Sequence, residues 1–99
     1  RKIWNLRIFE DEDQRMNKSV EEAGGEVLVV SQFTLYGDTS KGRRPSFVQA
    51  ALPEVAEPLI AHLCKSLEEM GAQVATGRFR SHMEVKIYNN GPVTLNVET

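Results

Sequence analysis

The chain has 99 residues, a length that fits one domain with a modest core. With 40% hydrophobic and 26% charged residues it has the composition of an ordinary globular protein, and a formal net charge of −2 does not announce a nucleic-acid binder. The longest apolar runs, Val27 to Val30 and Leu59 to Leu63, fall far short of the roughly 20 residues of a membrane span, no signal peptide opens the chain, and the lone Cys64 excludes an internal disulfide and fits a reducing, cytoplasmic compartment.

Ile3, Trp4 and Leu6 read as the apolar stripe of a helix already under way at Arg1, which predicts that a natural N-terminal portion precedes this sequence. Phe9 to Glu22 is acidic and polar, an irregular excursion or short hairpin with Met16 and Val20 as isolated apolar anchors, and Ala23-Gly24-Gly25 breaks the chain before a strand. Glu26 to Tyr36 has the strongest strand pattern. Its first half is apolar on both faces, as in a central strand, while Ser31, Gln32 and Thr34 place polar groups where the strand is still expected to be buried. A basic loop, Gly37 to Pro45, follows, and Ser46 to Ala51 reads as one short turn.

Pro53 suits the first position of a helix whose stripe is Val55, Leu59, Leu63, Leu67 and Met70, flanked by Ala56, Ile60 and Cys64 and ended by Gly71. Gln73 to Thr76 is a short strand candidate. Met83, Val85 and Ile87 alternate with polar neighbours, as do Val93, Leu95 and Val97, and Asn89-Asn90-Gly91-Pro92 between them predicts a C-terminal β-hairpin. The order helix, strand, helix, strands lacks regular βαβ alternation, so the expected class is α+β, as one domain over residues 1–99.

Familiar catalytic patterns are missing. There is no Gly-x-Ser-x-Gly elbow, no phosphate-binding glycine loop and no His/Cys cluster at metal-ligand spacing, so neither a metal nor a cofactor is expected. His62 reads as a boundary residue of the long helix and His82 as a surface histidine or a general base. Lys41, Arg43 and Arg44 form one basic cluster and Arg78 and Arg80 a second, each equally compatible with a solvated loop or a phosphate contact. Two segments resist an ordinary reading: Ser31-Gln32-Phe33-Thr34-Leu35-Tyr36, whose polar groups need partners if buried, and Asn90-Gly91-Pro92-Val93-Thr94, where a proline interrupts strand-like sequence.

Together, SQFTLY and NNGPVT resemble the paired signatures of the D-aminoacyl-tRNA deacylases. Residues 5–11, 16–20, 25–30 and 41–47 resemble bacterial members in the same order, so that the likeness spans essentially the whole chain. The resemblance implies a sheet of barrel-like form with packed helices, the Gly-Pro motif on the C-terminal hairpin, and a homodimer that hydrolyses the ester of D-aminoacyl-tRNA, glycyl-tRNA being an additional substrate. It implies a cis Gly91-Pro92 bond whose carbonyls face the substrate's α-amino group from across the dimer, rejecting L-amino acids by main chain alone.

By the same resemblance, Ser31, Gln32, Phe33 and Thr34 make up the catalytic segment, with a backbone N–H of Phe33 or Thr34 as the oxyanion contact. Thr34 is the family's candidate nucleophile. No base is evident to activate it, so the alternative that the resemblance implies, assistance by the 2′-hydroxyl of the terminal adenosine, is the preferred route, with Thr34 and Gln32 as positioning groups. Lys41, Arg43 and Arg44 are expected on tRNA phosphates, and Phe79 and Met83 around the adenosine or, equally, in an aromatic–thioether core. The chain departs from the pattern at Arg80 and Ser81, where the family carries small residues. The competing reading is a non-catalytic tRNA-binding or editing-like module of the same fold.

Overall fold

A computed structural model describes all 99 residues. A short helix α1 (Lys2–Asn5) leads into strands β1 (Phe9–Glu10) and β2 (Met16–Lys18), which pair antiparallel. Strand β3 (Val27–Val29), a 3-10 helix (Phe33–Tyr36), the long helix α2 (Pro53–Glu69) and strand β4 (Val74–Thr76) complete the regular structure. β3 and β4 pair in parallel, Val27 opposite Val74, so α2 lies in the crossover between them.

The expected excursion from Phe9 is thus a true hairpin. Its loop is organised by the Asp11 carboxylate, which accepts N–H bonds from Asp13 at 2.9 Å and Arg15 at 3.1 Å, while Gln14 takes φ 60°. Asn17 occupies the irregularity in the β1–β2 register and joins Arg7 to Asp11, accepting from Arg7 and donating to the carboxylate, both at 3.2 Å. Beyond β2, Ser19 and Glu22 form a reciprocal capping pair: Ser19 N–H donates to Glu22 Oε2 at 2.8 Å and Glu22 N–H to Ser19 Oγ at 3.3 Å.

Helix α2 begins at Pro53, whose missing N–H is no loss in the first turn, and runs through Pro58. It ends in a Schellman motif. Ala72 N–H donates to the Leu67 carbonyl and Gly71 N–H to that of Glu68, both at 3.0 Å, with Gly71 at φ 105°. This closure brings Ala72 back beside Leu67, and these two with Trp4 and Val20 form the buried cluster onto which Val27, Val29, Leu63, Met70 and Val74 pack. Of the two expected anchors Val20 is therefore in the core, whereas Met16 stays exposed.

Three expectations are corrected. The strand from Glu26 stops at Val29, because its partner β4 stops at Thr76; the last contact is Gly77 N–H to the Val29 carbonyl at 3.3 Å. SQFTLY therefore does not finish a buried strand: Phe33 to Tyr36 winds into a 3-10 helix, and Gln32, Phe33, Thr34, Leu35 and Tyr36 are exposed. The C-terminal hairpin does not form, and no backbone hydrogen bond ties residues 82–99 to anything. An isolated hairpin is marginal without a third strand or a covering layer, and Pro92 removes one donor. The strands form two separate two-stranded sheets rather than a barrel-like one, so the class is a mixture of α and β that includes one parallel crossover the residue pattern did not announce.

Candidate functional site

The end of β3, the segment after it, and the residues beyond β4 together enclose an open cavity of about 590 Å³. One wall is Val29, Val30, Ser31, Gln32 and Phe33, and a second is Phe47, Ala50, Ala51 and the start of α2 (Pro53, Ala56, Ile60). Thr76 to Met83 supplies the third. The volume lies in the range of small-ligand sites, and an apolar lining with a few polar groups is their usual character.

Local structure explains the walls. β3 and β4 are parallel and end together, so both chains leave the sheet at the same edge, where ligand clefts of parallel sheets form. The 3-10 helix is fixed against the following turn by an edge-to-face contact of Phe33 with Phe47, ring centroids 5.1 Å apart. Gly37 permits that packing: a Cβ there would lie 2.8 Å from Phe47 Cε1 and 3.0 Å from the Thr34 carbonyl. On the opposite wall Met83 folds over Gly77, its sulfur 3.3 Å from where a Cβ would sit.

The structure brings together Ser31, Gln32 and Phe33 with Phe79 and Met83. Thr34, one residue further on, is exposed and does not line the cavity. Lys41, Arg43 and Arg44 lie in the exposed loop closed by the Asp38–Ser46 bridge, also outside the wall. The Ser40 hydroxyl and N–H hold the Asp38 carboxyl at its base below the usual carboxylate range, the N–H donating at 2.8 Å. Gly91 and Pro92 sit in the exposed C-terminal segment, away from the cavity of their own chain, and their peptide bond is cis. No buried side-chain polar atom lacks a partner, so burial does not mark Ser31 or Gln32 as a site; their place on the wall does.

Sequence reasoning left out Phe47, Ala50, Ala51 and Ile60, and it treated His82 as a surface residue or a base without placing it beside a pocket. Arg78, Arg80 and His82 give the cavity a basic rim, and no aspartate or glutamate lines it. No cluster of His, Cys, Asp or Glu is arranged to hold a metal ion, and no helix is long and apolar enough to cross a membrane.

A profile of the D-Tyr-tRNA(Tyr) deacylase family matches residues 1–98. The chain belongs to that family. A D-aminoacyl-tRNA deacylase of Heliobacterium modesticaldum is 62% identical over 97 residues, covering 98% of this chain and 65% of the relative. One of Symbiobacterium thermophilum is 55% identical over 98 residues, 99% of this chain and 65% of the relative. The chain thus spans 65% of the length of these deacylases. A solved structure of a c-Myc DNA Unwinding Element Binding Protein superposes with a TM-score of 0.88 at 40% identity, over 99% of this chain and 67% of that one. The fold of that structure is therefore shared over 99% of this chain, and the resemblance carried by SQFTLY and NNGPVT is borne out as family membership.

Proposed function

We propose that this chain is a D-aminoacyl-tRNA deacylase, working as one domain over residues 1–99 in the cytoplasm where tRNA is charged. The reaction hydrolyses the ester between a D-amino acid, or glycine, and the terminal adenosine, releasing free amino acid and tRNA. The observation that carries this reading is the family profile over residues 1–98, with the start of SQFTLY (Ser31, Gln32 and Phe33) and the segment Phe79 to Met83 lining one cavity.

Water attacks the ester carbonyl, the tetrahedral oxyanion is held by N–H donors, and the bond to the 3′-oxygen breaks with a proton returned to that oxygen. The first N–H groups of the 3-10 helix, Phe33 and Thr34, have no carbonyl partner within that helix and are suited to the oxyanion. Substrate assistance by the 2′-hydroxyl remains the favoured source of water activation. In support, no carboxylate lines the cavity and the Thr34 side chain is outside it, which leaves the hydroxyl of Thr34 without a base. Gln32 and Ser31 then position the acyl end, while Phe79 and Met83 receive the adenine.

Chirality is assigned to Gly91 and Pro92 acting in a homodimer. That the motif lies outside the cavity of its own chain leaves it available to a partner's. Lys41, Arg43 and Arg44, exposed and without ion-pair partners, are assigned to acceptor-stem phosphates. The test is deacylation of D-Tyr-tRNA against L-Tyr-tRNA. Selective hydrolysis of the D-ester is expected, with Thr34→Ala retaining most of the rate and a 2′-deoxy terminal adenosine abolishing it. Binding of tRNA with no D-selective hydrolysis would leave a non-catalytic module, and loss of activity in Thr34→Ala with the 2′-deoxy substrate still cleaved would restore a threonine nucleophile.

A further inference from the structure

Arg80 has a backbone conformation that arginine rarely adopts, and it has it at the rim of the cavity. Ser81 N–H donates to the Arg78 carbonyl at 3.3 Å, closing a turn of residues 78–81 in which Arg80, the third residue, has φ 58°. A positive φ at the third turn position is where glycine or asparagine is favoured. Non-glycine residues in this region cluster at ligand clamps and active sites.

The turn puts Arg78 and Arg80, each bearing a guanidinium, among the residues of one wall with His82 beyond them. Neither arginine has an ion-pair partner, since the single salt bridge of the molecule joins Lys18 to Glu12. No carboxylate lines the cavity to neutralise them. In a chain of net charge −2 this is a local excess of positive charge facing an apolar hollow. Such a hollow suits a ligand with a flat apolar body and an anionic group at one end. Guanidinium forks bind phosphate through paired N–H donors in a way a lysine does not.

We propose that Arg80, aided by Arg78, binds the 5′-phosphate of the nucleotide whose base occupies the cavity, a contact that sets the register of the terminal nucleotide. It rests on the nucleotide-pocket reading above and adds to it a phosphate-specificity residue. Phe79, between the two arginines and half-buried, and Met83 supply the apolar floor. Phosphate held at the rim fixes how deeply the nucleoside enters, which aligns the ester attached to it with Gln32 and Phe33.

The test titrates the 99-residue chain with adenosine, adenosine 5′-monophosphate and inorganic phosphate, at low and at high salt. The monophosphate is expected to bind about ten-fold more tightly than adenosine at low salt, with the margin shrinking as salt rises. Arg80→Gly, which suits the turn, is expected to erase the margin while leaving adenosine affinity unchanged, and Arg80→Lys to keep part of it. Equal affinity for adenosine and its monophosphate, or a margin that survives Arg80→Gly, overturns the assignment while the pocket reading stands. Loss of adenosine binding in Arg80→Gly makes the residue structural and overturns it too. Inorganic phosphate binding as tightly as the monophosphate identifies a free-anion site instead. If neither adenosine nor its monophosphate binds, the nucleotide pocket itself fails and this contact with it.

Discussion

Arg80 joins two opposed demands in one residue. A left-handed conformation costs a residue with a Cβ about 1–2 kcal/mol, partly offset because glycine at the same place loses more entropy on folding. Arg80→Gly is therefore expected to stabilise the chain by a net ~0.5–1 kcal/mol, read as a higher midpoint in urea with an unchanged slope. An unchanged or lower midpoint would mean that the arginine side chain contributes contacts worth more than the strain. The same substitution is expected to lose the phosphate preference, so stability and binding move in opposite directions. The sequence alone marks position 80 as a departure from a pattern, and marks Arg78 and Arg80 as a basic pair. It does not reveal the positive φ, because that depends on where Gly77 leaves β4 and how the turn closes at Ser81. Ser31 and Gln32 show the reverse case. They are legible as site residues, but for the wrong reason, since burial was the argument and position on a cavity wall is the fact.

Elements with strong local signals were the legible ones. Pro53 and Gly71 bracket α2, and Gly71 does so through the Schellman bonds that seat Ala72 beside Leu67. β3 was overextended because alternation of side chains continues through Tyr36, whereas strand length is decided by the partner, and β4 is three residues long. The β1–β2 hairpin shows what the blocks at residues 5–11 and 16–20 do together: Asn17 links Arg7 to Asp11 across the two. The Asp11 carboxyl is held below its ordinary value of 3.8, first by the N–H of Arg15, then by that of Asp13 and the Asn17 amide. A depressed carboxylate contributes stability that is complete above its unfolded value and is lost as pH falls through the lower folded one. The hairpin is therefore expected to loosen on acidification below about pH 4. The Asp13 and Arg15 amide resonances should shift, and exchange faster, in that window. Asp11→Asn should remove the pH dependence from both amides, and amides that titrate unchanged in Asp11→Asn would assign the effect elsewhere.

The molecule as a whole exposes more than its length requires. Its accessible surface is 9164 Å², against about 5,700 Å² for a compact folded monomer of this size, and its radius of gyration is 15.9 Å against about 13 Å. Part of the excess is residues 84–99, whose alternating apolar side chains are left uncovered: Val85, Ile87, Val93, Leu95 and Val97 are all exposed, Ile87 at 75%. The alternation that predicted a hairpin is thus real as a pattern, and what is missing is the layer that a hairpin of this composition needs beneath it. An unpaired apolar segment with free N–H and C=O groups is a template for pairing with another chain. The chain is accordingly expected to associate as concentration rises, with apparent mass by sedimentation growing beyond that of 99 residues and fluorescence of a hydrophobic dye falling as it does. Ile87→Lys should weaken this association without lowering the unfolding midpoint, because Ile87 contributes nothing to the Trp4–Leu67 core. A chain that stays monomeric at every concentration, or whose association is indifferent to Ile87→Lys, would show that the C-terminal segment is not the surface that joins two copies, and would remove the route by which Gly91 and Pro92 reach a partner's cavity.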